Sequence, residues 1–192
     1  MRMCSIASGS SGNCIYIGDE DTHILIDAGI SRKAIETGLK ELELSGNDLD
    51  GIFITHEHSD HVKGLGVMAR KYHIPMYGTK ETIEAVKAIS SLGNIGEELF
   101  HPVAAEEELQ LKTLTVKPFK VSHDGANPVA YRVESGEKKA AVATDLGIYN
   151  DYTIEHLKGL DVILLEANHD IRMLQTCRYP YSLKQRIYFC MT

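Results

Sequence analysis

Six consecutive residues, His56-Glu57-His58-Ser59-Asp60-His61, carry three imidazoles and two carboxylates directly behind the apolar run GIFIT. Crowding such groups costs desolvation and repulsion unless something positive sits among them. A divalent cation supplies that charge. His56 and His58, with one residue skipped, can face one ion from a loop, and Asp60 and His61 can reach a second. Imidazole mixed with carboxylate suits Zn2+, with Mn2+ or Fe2+ as alternatives. Two ions about 3.5–4 Å apart would activate a bridging hydroxide and polarise a scissile bond.

Further donors share one address, an abrupt polar residue just after an apolar strand. Asp27 ends HILID, His123 follows FKVS and Asp145 ends AAVATD. Strand ends are where a rigid scaffold presents functional groups. Asp145 has the chemistry to bridge two ions. Asp27 is expected behind the ligands, accepting a hydrogen bond from a ligand histidine and fixing its tautomer. The isolated His23, His73, His101 and His156 read as ordinary surface or core residues.

The elements that must position these groups alternate between β-branched runs and helical stretches. CIYIG and HILIDAG predict two strands around the turn DEDT. SRKAIETGLKELEL predicts a helix capped by Ser31, with Ala34, Ile35, Leu39 and Leu42 on one face. GIFIT predicts a buried strand, VKGLGVMARKYH a helix, IPMYGT a strand and KETIEAVKAISSLG a helix. Residues 98–122 predict a β meander that PVAYRVE and KAAVATD continue. NDYTIEHLKGL predicts a helix and DVILLEAN a buried strand. This order implies a layered α/β domain. A length of 192 residues suits a single domain over 1–192.

The formal net charge of −7 argues against a broadly basic, nucleic-acid-coating surface. A local basic strip is present near the end, where Arg172, Arg178, Lys184 and Arg186 face the single acid Asp170. Cys4, Cys14, Cys177 and Cys190 show no metal-knuckle spacing and no disulfide framework, so a reducing cytoplasm is expected. No apolar run approaches the ~18 residues of a membrane span, and the start lacks a signal-peptide core. Nothing in the pattern indicates an oligomeric state.

THEHSDH, preceded by LIDAG and followed by SHD and ATDLG, resembles the metallo-β-lactamase fold superfamily over residues 1 to about 187. His58 at the second motif position is similar to the zinc hydrolases rather than to the flavodiiron oxidoreductases. SIASGSSGNCIYI and LLEANHD are similar to the YycJ (WalJ) branch. The resemblance implies a four-layer αββα sandwich with a dinuclear site at one edge of its sheets. It implies His56, His58 and His123 on one ion, Asp60 and His61 on the other, and Asp145 between them. It also implies nuclease-like activity, including 5′-to-3′ exonucleolytic cleavage of DNA. A further histidine in a GHLSN-like segment is absent here. The resemblance therefore implies a C-terminally incomplete domain, without the last strand and helix and with a weakened second metal.

SGSSGN at 8–13 reads either as a flexible turn or as a loop whose Ser8, Ser10, Ser11 and Asn13 touch a phosphate. Asn168 joins that substrate-binding set. His169 is a candidate catalytic residue that orients substrate, protonates a leaving oxygen or makes a structural hydrogen bond, with Asp170 as its partner. The leading expectation is phosphodiester hydrolysis, with Asp60 orienting the nucleophile and nucleic acid as substrate. The rivals are hydrolysis of a small ester, thioester or lactam, and a chain with little or no catalysis.

Overall fold

The computed structural model describes residues 1–147, 149–165 and 176. Two sheets face each other. The first runs in the order β1 (Arg2–Ala7), β2 (Cys14–Gly18), β3 (His23–Ile26), then after helix α1 (Arg32–Glu41) β4 (Gly51–Phe53). Helices α2 (Ser59–Val62) and α3 (Leu65–Tyr72) lead to β5 (Met76–Gly78), and α4 (Lys80–Lys87) leads to β6 (Phe100–Pro102). β1 to β3 pair antiparallel, and β3 to β6 pair parallel. The second sheet is built from β7 (Leu109–Leu111), β8 (Leu114–Lys120), β9 (Val129–Ser135) and β10 (Lys138–Ala143). Helix α5 (Asp151–Leu157) then returns the chain to β11 (Val162–Leu165), parallel to β10.

Three apolar clusters define four layers. Leu25, Ile52 and Ile54 of the first sheet meet Ile35 and Leu39 of α1, Met68 of α3 and Ile83 of α4. Between the sheets, Ile15, Ile24, Ile26 and Phe53 pack on Val116, Tyr131, Val133 and Val142. On the far side Phe119, Ala130 and Ala143 meet Leu157 of α5. This is the αββα sandwich, and the central parallel strand β4 is apolar and fully buried because both of its faces are covered.

Side-chain caps fix where the helices begin. Ser31, Thr79 and Asn150 accept from the backbone N–H of Ala34, Thr82 and Thr153 respectively. The predicted helix after the histidine cluster is broken in two near Gly64, whose N–H donates to Ala28 O at 2.7 Å.

Two expectations differ from the structure. Residues 98–122 do not form one meander: β6 pairs parallel with β5, Met76 opposite Phe100, while β7 and β8 belong to the other sheet. A three-residue strand has too little periodicity to declare its partner, and the α4 crossover decides it. The strand predicted as buried in DVILLEAN is β11, which among the described residues is the last strand of its sheet, with Val162, Ile163 and Leu165 exposed. Its apolar run records a strand that the described residues cover only on the β10 side. Among the described residues no helix is long and apolar enough to cross a membrane.

Candidate metal centre

The cluster is positioned by backbone contacts at the carboxyl ends of β3 and β4. Asp27 N–H donates to Phe53 O at 2.8 Å, Ala28 N–H to His61 O at 2.8 Å and Asn13 N–H to Asp60 O at 2.7 Å. The first turn of α2 therefore lies directly on residues 27–29. Gly29 is required there, because a Cβ would stand 1.6 Å from Asp60 O. Asp27 and Asp145 both adopt left-handed backbone, with φ of 61° and 53°. Aspartate tolerates that region better than most residues, and each turn aims its carboxylate at the histidines.

The ring nitrogens converge. His56 Nε2 lies 3.0 Å from His58 Nδ1, and His123 Nε2 lies 3.3 Å from the same nitrogen. His61 Nε2 lies 2.9 Å from Asp145 Oδ2 and 3.6 Å from Asp60 Oδ2. The other Asp145 oxygen, Oδ1, is 4.0 Å from His123 Nε2, so this carboxylate faces both halves of the site. Among the described residues two sets of three could hold an ion, His56/His58/His123 and His56/His61/Asp145, each with its donor atoms within 4.8 Å of one another. His56 is common to both, and Asp60 approaches the second set through His61.

Behind these donors lies a buried network. Asp27 Oδ2 accepts from His61 Nδ1 at 2.7 Å and from the Thr55 hydroxyl at 2.8 Å, and Oδ1 accepts from Thr55 N–H at 2.8 Å. With its proton given to Asp27, Thr55 Oγ1 accepts from His56 Nδ1 at 3.0 Å. One carboxylate thus places the Nδ1 proton on His61 directly and on His56 through Thr55, leaving each Nε2 facing the centre. Asn13 Nδ2 lies 3.0 Å from His61 Nε2, and Asn13 Oδ1 accepts from Gly9 N–H at 3.0 Å. That amide ties the serine-rich loop to the cluster.

The electrostatics follow from burial and from this pairing. Burial pushes His56 down to about 2, helped by the neighbouring charge of His61 and opposed by Asp145, so His56 is neutral. Burial also opposes protonation of His61, but Asp27 and Asp145 outweigh it and lift the ring to about 10. Burial lowers His123 against the pull of Asp145 and Asp124. Burial would raise Asp145, yet its hydrogen bond and charge pairing with His61 hold it below the usual carboxylate range. The protein therefore already concentrates carboxylate charge where a cation would stand.

Of the residues nominated from sequence, Asp27, His56, His58, Asp60, His61, His123 and Asp145 come together here. Asn13 joins them, while Ser8, Ser10 and Ser11 are exposed on the adjoining loop. Asn168, His169 and Asp170 lie outside the described residues, as do Cys177, Cys190 and the strip of Arg172, Arg178, Lys184 and Arg186. Thr55 carries no motif signal beyond its place between strand and histidine, and sequence reasoning missed it. His23 meets Tyr16 OH, His101 stacks on Tyr77, and His156 pairs with Glu106 away from the centre.

A β-lactamase superfamily domain model matches residues 22–177. The chain is 42% identical over 182 residues to exodeoxyribonuclease YycJ of Bacillus anthracis, covering 95% of this chain and 68% of that protein. Exodeoxyribonuclease WalJ of Streptococcus pneumoniae is 38% identical over the same shares. Among solved structures, Zn2+-bound PqqB of Methylobacterium extorquens superposes with a TM-score of 0.69 at 18% identity, over 85% of this chain and 63% of its own. YhfI of Bacillus subtilis, a metallo-β-lactamase fold protein, gives 0.68 at 17% identity, over 88% and 73%. Domain match, relatives and layer order agree: the chain belongs to the metallo-β-lactamase superfamily, in its YycJ/WalJ branch.

Proposed function

We propose that the chain is a metal-dependent hydrolase of phosphodiester bonds in DNA, acting as an exonuclease. The observation that carries this reading is the pair of three-donor sets sharing His56, in a chain 42% identical to an exodeoxyribonuclease. Mixed imidazole and carboxylate donors fit Zn2+ best, with Mn2+ or Fe2+ as substitutes; His56 offers one free nitrogen and serves one ion, so a second ion relies on Asp60 beside His61 and Asp145. His56, His58 and His123 would hold one, and His61 with Asp145 and Asp60 the other. When bound, such ions acidify a water nucleophile and neutralise charge that builds on the phosphoryl oxygens.

The chain's own residues do the rest. Asp27 and Thr55 hold the Nδ1 edges of His56 and His61, so that each Nε2 is aimed inward. Asp145 spans the two sets. Asp60, partly exposed and adjacent to His61, orients the attacking water and accepts its proton. The exposed hydroxyls of Ser8, Ser10 and Ser11 stand on a loop that Asn13 fastens beside His61, and they are assigned to a substrate phosphate. Free thiols at Cys4 and Cys14 fit a reducing cytoplasm.

The test compares a chromogenic phosphodiester, a chromogenic thioester and linear DNA, across a range of salt. Turnover of DNA and phosphodiester, weakening steeply with salt, is the expected result, because backbone contacts release counterions. Thioester turnover without phosphodiester turnover would instead favour a small-molecule hydrolase.

A further inference from the structure

Glu57 stands between His56 and His58 but faces neither of the donor sets. Its Oε1 accepts from Ala126 N–H at 2.8 Å, across 69 residues of chain. Ala126 lies in the connection 121–128 between β8 and β9, which carries His123. The far end of that connection is held separately: Asn127 O accepts from Thr79 Oγ1 at 2.9 Å and Thr82 Oγ1 at 3.3 Å, and Asn127 Nδ2 donates to Glu81 Oε2 at 2.9 Å. Gly125 lies directly over the Glu57 carboxylate, its would-be Cβ 3.5 Å from Oε2 and 3.5 Å from His56 Cβ. Among the described residues Oε2 is buried without a hydrogen-bond partner.

We propose that Glu57 is a positioning residue that fastens the His123 connection to the HEHSDH segment and so sets the geometry of the His56/His58/His123 donor set. The inference rests on the metal reading above. The two halves of that set come from different sheets, β4 in one and β8 in the other; backbone bonds close the base of the connection, Val121 N–H to Pro128 O and Gly147 N–H to Ser122 O, while the Glu57 bond holds its middle against the HEHSDH segment. The Glu57–Ala126 bond joins the halves within two residues of His56 and three of His123. What matters is reach and an acceptor oxygen, not charge. A shorter acid cannot span to Ala126, whereas glutamine presents the same carbonyl oxygen at the same length.

The test uses the metal-free protein, Glu57→Asp and Glu57→Gln, with two readouts: amide exchange at Ala126 without metal, and Co2+ affinity and absorption spectrum by competition titration. Expected for Glu57→Asp is faster exchange at Ala126, a loss of about tenfold or more in Co2+ affinity and an altered Co2+ spectrum, the size of effect that outer partners of ligands give. Glu57→Gln should match the parent in all three. A Glu57→Asp protein with parental exchange and affinity would overturn the inference, as would a Glu57→Gln protein as impaired as Glu57→Asp, which would assign the effect to charge. A parent protein that binds no Co2+ would instead overturn the metal reading itself, and this inference with it.

Discussion

Asp27 Oδ2 holds His61 Nδ1 at 2.7 Å, with both side chains fully buried. Because the same oxygen also takes the Thr55 hydroxyl, and Thr55 in turn meets His56, one carboxylate orders a histidine from each donor set. Asp27→Ala should therefore lower affinity for both ions, by about 10–100-fold. Thr55→Val should act in the same direction through His56 alone, and more weakly. Competition titration with a chromophoric chelator measures both. Parental affinity in Asp27→Ala would show that packing, not this bond, orients the rings.

His58→Ala and Asp60→Ala should each abolish DNA hydrolysis while leaving far-UV circular dichroism little changed. Both side chains sit in a loop or first helical turn, and neither contributes to the apolar clusters. Retained turnover in either variant would remove that residue from the proposed machinery.

Gly29 is fixed by space. Adding a methyl there drives Cβ to 1.6 Å from Asp60 O, so the first turn of α2 must move away from residues 27–29. Gly29→Ala is expected to cost about 1–3 kcal/mol or more, as overpacking does, and to weaken metal binding in the fraction that still folds. Urea unfolding of the metal-free protein gives the first quantity. An unchanged midpoint would mean the contact yields easily.

At the opposite end of the sandwich Asp19 clasps the two sheets. Its carboxylate accepts from Ser135 Oγ at 2.7 Å, Thr113 Oγ1 at 2.8 Å, Thr22 N–H at 3.0 Å and Asp21 N–H at 3.1 Å. Partial burial would raise its pKa, but these four bonds outweigh that and bring it down to about 2. A depressed carboxylate stabilises the fold above its unfolded pKa, and that contribution is lost as pH falls through the folded value. Asp19→Asn should therefore cost about 1–3 kcal/mol near neutral pH, and the difference from the parent should shrink as pH drops from about 4 towards 2. A gap that persists unchanged at pH 2 would assign the clasp to packing, not to charge.

The sequence by itself determined the donors and the elements beneath them. HEHSDH needs a cation whatever its fold, because the cost of crowding its charges is local. Asp27, His123 and Asp145 stand out because each breaks an apolar run at a strand end, and the apolar period with Ser31 as cap marks α1. Tertiary structure alone decided how they combine. The pairing of β6 with β5 depends on a crossover, not on three residues of pattern, and the exposure of β11 depends on which elements lie beside it. His56 belongs to both donor sets because the second sheet brings His123, after β8, and Asp145, after β10, to the end of β4. Thr55 and Glu57 gain their roles from partners 28 and 69 residues away, and a contact made across the fold leaves no spacing in the chain to read.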